Sequence, residues 1–275
     1  GPHMMTDQLD NLLRDLTEEQ NALDVVLAEL PAAQWALPTP SPGWTITHQV
    51  AHLTYFDVAA ATAITDPVAF AASRDALFAA GLDRPEAVDE VTLGNYLGME
   101  PAELLAAWRD ARAQLAAAAS TLGDGDRVEW YGPSMSGRSF LTARLMEVWA
   151  HGQDVIDAVV DSGGTAGRAA TERLRHIAHL GFVTRGWSYT VRGDDPPAAE
   201  VRVDLLSPAG ETWSWGPDDA ADSVRGPAED FCLVVTQRRH PDDTSLEIAG
   251  DAAADWMRVA QAFAGGASEG PRRRD

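Results

Sequence analysis

Apolar and polar positions recur along this chain with two different periods, and the change of period divides it. Over residues 6–31, Leu9, Leu12, Leu13, Leu16, Leu23, Val26, Leu27 and Leu30 fall at three- and four-residue steps, which predicts one long amphipathic helix. Pro31 weakens the pattern, and Pro38, Pro40 and Pro42 exclude helix through Gly43 because proline has no amide donor and a fixed φ. Thr45 is a suitable N-cap for a helix over 46–65. Asp66-Pro67 stops or restarts it; 68–80 is Ala-rich and helical, and 81–99 is broken by Gly and Pro. Residues 100–122 predict a further helix, with Pro101 in its first turn and Leu104, Leu105, Trp108, Leu115 and Leu122 on its buried stripe. A turn at Gly123–Asp126 leads to an irregular or briefly extended stretch to Gly137. Ser139 is then the expected cap of a central helix over 139–161, ended by Gly163-Gly164. Residues 167–190 predict a last long helix.

Beyond Gly193-Asp-Asp-Pro-Pro197 the period drops to two. Val201, Val203 and Leu205 alternate as a strand over 199–206, a turn at 207–210 follows, and 211–215 makes a second strand. A third short strand near Val224, a helix over 227–236, a strand over 245–248 and a helix over 251–263 complete the pattern. Helices first and strands later suggest two separate cores. The expected fold class is therefore mainly α, with a helical domain over 5–192 and a small α/β (α+β) domain over 193–265. Residues 266–275 are expected to be a disordered tail, and Gly1-Pro-His-Met4 looks like the remnant of a cleaved tag.

Composition narrows the function. The 42 acidic residues outweigh 21 basic ones, all arginine, for a net charge of −21. Nucleic acid and anionic membrane surfaces both require a basic patch, so neither is an expected partner. Without lysine there is no lysine Schiff-base chemistry. The single cysteine, Cys232, excludes an internal disulfide or a cysteine zinc cluster, and its run Phe231-Cys-Leu-Val-Val235 suggests a core thiol. No apolar run approaches the roughly 20 residues of a membrane span, and the N-terminal segment does not look like a signal peptide. A cytoplasmic location follows as the expectation.

The chemistry concentrates in Leu145-Met-Glu-Val-Trp-Ala-His-Gly-Gln-Asp-Val-Ile-Asp157. Glu147 and His151 are one helical turn apart on one face and offer a hard oxygen and an imidazole, a donor pair suited to a divalent metal. A third donor is available in Gly43-Trp-Thr-Ile-Thr-His-Gln-Val-Ala-His-Leu53. His52, deeper in its helix, is the better ligand; His48, at the helix start, is a pocket or supporting group. Asp154 can hydrogen-bond His151 and set its tautomer. His176 and His179 are expected to be structural or surface groups. Three protein ligands leave open positions, the pattern of a catalytic site. The same residues also allow a buried hydrogen-bonded pair without any metal, so both readings stand at this point.

The stretches Trp44-Thr-Ile-Thr-His-Gln-Val-Ala-His-Leu53 and Glu147-Val-Trp-Ala-His-Gly-Gln-Asp154 resemble the DinB-like metal-binding superfamily, and within it the mycothiol-dependent maleylpyruvate isomerase branch. The resemblance extends to Gly226-Pro-Ala-Glu-Asp-Phe-Cys-Leu-Val-Val-Thr-Gln-Arg238. It implies an N-terminal four-helix bundle that holds a divalent metal, zinc first, through His52, Glu147 and His151, with mycothiol as thiol cofactor or co-substrate. It also implies an arginine of the C-terminal domain at the active site, for which Arg238 is the match and Arg239 its neighbour. The sequence departs from the family pattern at His48, which with Arg238 makes up the candidate catalytic pair. The implied activity is isomerisation or S-transfer on a small electrophilic substrate, by a monomer or homodimer. A metal-dependent hydrolase or lyase without a thiol, or a non-catalytic metal or small-ligand binder, are the alternatives.

Overall fold

The computed structural model describes residues 7–274; the expected tag remnant at 1–4 lies outside them. Ten α-helices and a small mixed sheet are present among the described residues, so the chain is mainly α with an α/β region at its C-terminal end. It divides into two compact units, Gly1–Arg168 and Ala169–Asp275.

In the first unit α1 (Asp7–Glu29), α2 (Ile46–Thr65), α5 (Pro101–Ala119) and α6 (Gly137–Asp161) form a four-helix bundle. Here α1 lies against α5 and α6, and α2 lies against the same two helices. The leucine stripe of α1 supplies Leu9, Leu12, Leu16, Leu23 and Leu27 to the core, in which Trp108 of α5 and Phe140 and Leu141 of α6 are also fully buried. Each fully buried leucine side chain contributes roughly 1.5–3 kcal/mol of transfer free energy. Between α2 and α5 run α3 (Pro67–Asp83) and α4 (Ala87–Leu93). Asp66 caps α3 by accepting from the Ala69 amide at 3.1 Å, with Pro67 at N1. The proline-rich segment is a short 3-10 turn, Ala32–Ala36, followed by a tight loop closed by Thr39 N–H to Trp44 O at 2.8 Å and Ile46 N–H to Leu37 O at 3.1 Å.

Ahead of α6, β1 (Arg127–Val128) pairs antiparallel with β2 (Met135–Ser136) and closes the loop that carries Trp130 and Tyr131. The cap of α6 is Ser136, whose hydroxyl accepts from the Ser139 amide at 3.1 Å. Ser139 therefore supplies an amide of the first turn rather than the cap, and the helix begins two residues earlier than the sequence pattern suggests.

The second unit opens with two helices where one was expected. α7 (Leu174–Val183) begins late, after Thr171 has bonded its hydroxyl to the Arg173 amide in a local turn. It breaks at Thr184, whose hydroxyl bonds back to Leu180 O at 2.7 Å, and α8 (Arg185–Thr190) follows. These helices belong with the residues after them and not with the bundle, which places the division at 168 instead of 192. The reason is packing. Ile177 and Ala178 are fully buried in this unit, and an added Cβ at Gly181 would lie 2.7 Å from Val235, so only glycine permits the approach. The Tyr189 hydroxyl donates to Asp255 at 2.6 Å.

The sheet has the order β4-β3-β5-β6, formed by β3 (Val201–Leu206), β4 (Thr212–Trp215), β5 (Asp222–Pro227) and β6 (Glu247–Ala249). β3 pairs antiparallel with β4 but parallel with β5, in the register Val203↔Val224, and β5 pairs antiparallel with β6. Val201, Val203 and Leu205 are buried, as their alternation predicts. α9 (Ala228–Val235) and α10 (Asp251–Val259) complete the unit. The segment 266–274, expected to be disordered, carries no helix or strand, yet the Ser268 amide donates to Gln261 at 3.1 Å and its carbonyl accepts from Arg192 at 3.2 Å. No helix among the described residues is long and apolar enough to cross a membrane.

Candidate functional site

α2 begins where Thr45 stops the proline loop. The Thr45 hydroxyl accepts from the His48 amide at 3.4 Å, and the His48 ring accepts at Nδ1 from the Thr45 amide at 3.1 Å. This is a capping box with histidine in the place usually taken by Glu or Gln. Nδ1 is also 2.8 Å from the Thr45 hydroxyl. With Nδ1 used as an acceptor, the proton of a neutral His48 ring sits on Nε2.

One turn deeper, His52 meets Glu147 and His151 of α6. One ligand atom from each of the three residues lies within 4.8 Å of the other two. Nε2 of His151 is 3.0 Å from Oε2 of Glu147, and Nε2 of His52 is 4.0 Å from the same oxygen. The two imidazoles are 4.4 Å apart between ring centroids. Trp44 and Phe56 flank His52 at 5.4 and 4.7 Å, so aromatic rings wall the cluster on this side. The side chains of His52, Glu147 and His151 are 22%, 26% and 14% exposed, which leaves the cluster open to a small ligand. Burial acts to raise the Glu147 carboxyl. The hydrogen bond with His151 and the charges of His151, Arg144 and His52 outweigh it and hold the group down at about 2. Glu147 is therefore an anion at neutral pH.

Two imidazole nitrogens and one carboxylate oxygen suit zinc and related divalent ions. Tetrahedral zinc ligated at about 2.0–2.1 Å sets its ligand atoms roughly 3.3 Å apart. The observed spacings of 3.0 and 4.0 Å lie on either side of that value.

Asp154 was the expected partner of His151, and its carboxylate is 3.7 Å from Nδ1. The hydrogen bond itself is made by Gln49 of α2, whose Oε1 lies 2.7 Å from Nδ1. Sequence reasoning passed over Gln49. The available signal was its spacing, three residues before His52 and so on the same helix face.

Arg238 and Arg239 belong to the second unit. α9 ends in a Schellman turn: the Gln237 amide donates to Val234 O at 2.9 Å and the Arg238 amide to Leu233 O at 2.7 Å. Gln237 takes the left-handed position, φ 59°, where glycine is usual, and its side chain is held by Ala260 O at 3.0 Å. The Arg238 guanidinium donates to Thr236 O at 2.7 Å. Cys232 is fully buried and donates to Leu174 O; burial, with the charge of Glu229, pushes its thiol well up, as suits a core residue. His179 is exposed and accepts from the Trp215 indole at 3.2 Å.

Comparison with known proteins gives the following. A family model described as "Mycothiol maleylpyruvate isomerase N-terminal domain" matches residues 16–156, a span that includes His52, Glu147 and His151. A second, described as "Wyosine base formation", matches residues 197–247. Uncharacterised proteins of Mycobacterium tuberculosis strains H37Rv and CDC 1551 / Oshkosh are each 47% identical over 251 residues, covering 91% of this chain and 94% of theirs. Two crystal structures of a mycothiol-dependent maleylpyruvate isomerase share the fold. A histidine-to-alanine mutant aligns with TM-score 0.56 at 18% identity, over 87% of this chain and 92% of its own. The other aligns with TM-score 0.54 at 18% identity, over 84% and 89%.

Proposed function

The chain belongs to the mycothiol maleylpyruvate isomerase N-terminal domain family, and on that footing we propose that it is a metal- and mycothiol-dependent enzyme. In this reading His52, Glu147 and His151 hold a divalent metal, zinc first, and the substrate is a small electrophilic metabolite that is isomerised or conjugated to the thiol. The observation that carries the proposal is the convergence of three metal donors, from two helices, at a partly open place within the matched span.

A divalent ion at this cluster would lower the pKa of a bound thiol, so that thiolate is available at neutral pH. The protein's own groups prepare for that. Glu147 stays ionised and contributes negative charge. His151 turns Nε2 toward Glu147 while Nδ1 faces Gln49. Trp44 and Phe56 restrict water on the His52 side. His48, its Nδ1 occupied by the helix cap, offers an Nε2 proton beside Trp44, with ring centroids 6.1 Å apart. The reaction class is addition of the thiol sulfur to an electrophilic carbon. Loss of the thiol after bond rotation gives an isomer, and its retention gives an S-conjugate.

The test is elemental analysis of purified wild type beside His151→Ala, followed by thermal shift with mycothiol. The expected result is about one metal per chain, lost in the variant, and a rise in wild-type melting temperature with the thiol by mass action. Equal metal content in both chains would remove the proposal. Metal without any mycothiol response would favour a hydrolase or lyase that uses no thiol.

A further inference from the structure

We infer that Gln49 is a positioning residue that commits His151 to present its Nε2 lone pair, and that the proline loop sets Gln49 through Thr39. The inference rests on the metal centre proposed above and deepens it.

The argument is one of hydrogen-bond polarity, and it begins at a group that can only accept. The Trp44 carbonyl receives the Thr39 hydroxyl proton at 2.8 Å. The second contact open to that proton, Ser41 O at 3.5 Å, is also a carbonyl. The Thr39 oxygen is thereby left as an acceptor, and Gln49 Nε2 lies 3.1 Å from it. Gln49 must use its amino group there, which turns Oε1 the other way, to 2.7 Å from His151 Nδ1. An amide oxygen cannot donate, so Nδ1 carries the proton. Nε2 of His151 is then the nitrogen turned to the cluster, 3.0 Å from Glu147 Oε2, where a cation bound between the two would take its lone pair. Each link is directional, and reversing the Gln49 amide would require the Thr39 hydroxyl to turn away from the Trp44 and Ser41 carbonyls.

Burial makes the chain consequential. Gln49 is 0% exposed, so an unmatched amide there loses its hydrogen bonds without recovering them from water. The proline loop supplies the outer anchor. Its backbone bonds between Thr39 and Trp44 and between Leu37 and Ile46 hold the Thr39 hydroxyl over α2. The loop that starts α2 thus also sets the tautomer of a side chain on α6, about a hundred residues further along the sequence. Partners of this kind behind a metal-bound histidine are worth 10- to 100-fold in metal affinity.

The test is zinc affinity, read by competition with a chromophoric chelator, with cobalt as an optical probe of the ligand set. The proteins compared are full-length wild type, Gln49→Leu, Gln49→Glu, Thr39→Val and His151→Ala. Gln49→Leu is expected to bind zinc 10- to 100-fold more weakly than wild type. Gln49→Glu keeps an oxygen acceptor for Nδ1–H and stays close to wild type. A role in packing alone would make the leucine variant bind zinc normally, or make the glutamate variant as weak as the leucine one; either result overturns the inference. Thr39→Val, at a half-buried loop position, should show a smaller loss in the same direction. It decides the matter if Gln49→Leu does not fold, because unchanged affinity in the valine variant then overturns the relay. Equal zinc uptake by wild type and His151→Ala is a different failure, that of the centre itself.

Discussion

Helices α2 and α6 carry two charged groups within a turn or two of each other, and the two behave in opposite ways. His52 faces Glu147 and His151, while Asp57 faces Arg144. The later residue on α2 meets the earlier one on α6, so the helices run antiparallel. Asp57 and Arg144 form an ion pair of 3.1 Å whose side chains are 4% and 6% exposed, and the Arg144 guanidinium also lies 5.5 Å from the Trp130 ring centroid. Burial raises the Asp57 carboxyl and outweighs the charge of Arg144. Glu147 has the opposite balance, because its neighbours overcome burial. The difference follows from composition. A carboxylate and a guanidinium carry opposite charges and pair with each other without a third group. Two imidazoles and a carboxylate are all electron-pair donors when the histidines are neutral, and they are completed by a cation from outside.

The largest expected effect belongs to the closed pair. Asp57→Ala strands a buried guanidinium and should cost about 3–5 kcal/mol in urea unfolding, whereas an apolar double replacement at Asp57 and Arg144 should cost far less. A loss under about 1 kcal/mol in the single variant would mean that water reaches the pair and that the contrast is not one of burial.

The next effect is in acid, with the protein kept metal-free by chelator. The Glu147 carboxyl lies below its usual 4.5, at about 2. A depressed carboxyl stabilises the fold above its unfolded pKa, and that contribution is lost as pH falls from about 4.5 toward 2. At 1.36 kcal/mol per pH unit the ceiling is about 3 kcal/mol, reduced because the side chain is 26% exposed to screening water. Glu147→Gln should flatten this part of the stability curve. The raised Asp57 has the opposite sign, so Asp57→Asn should steepen the decline on acidification. Parallel changes in the two variants would contradict the assignment.

The smallest expected effect tests the edge of the site. His48→Ala removes the acceptor from the Thr45 capping box and should lower stability by about 1 kcal/mol, as measured by thermal unfolding, with zinc uptake unchanged. Loss of zinc in this variant would make His48 a ligand and not part of the cap.

The two groups were also unequally legible. Glu147 and His151 stand out because i,i+4 spacing on a helix is a geometric fact of the backbone, and His52 follows from a histidine inside an apolar run. Gln49 carries no such mark. An amide is ordinary on any helix, and its importance comes from Thr39 on one side and His151 on the other. Asp154 drew attention because it is charged and three residues from His151, but sequence spacing does not tell which of two nearby groups completes a hydrogen bond. The same limit governs the second unit. The sequence over 167–190 reads as one helix, and it divides at Thr184, whose backbone at φ −94° and ψ 11° leaves the helical range.

By itself the sequence determined the α-helical first part, the strands after residue 193, the net acidic charge and the three donor side chains. These depend on local periodicity and residue chemistry, which travel with the chain. Only the tertiary structure decided that β3 pairs with β5 in parallel, that residues 169–192 join the second unit, and that Gln49 backs His151. Each of those is a contact between residues distant in sequence. Its energy depends on what else is buried beside it, and no single stretch of the chain contains that information.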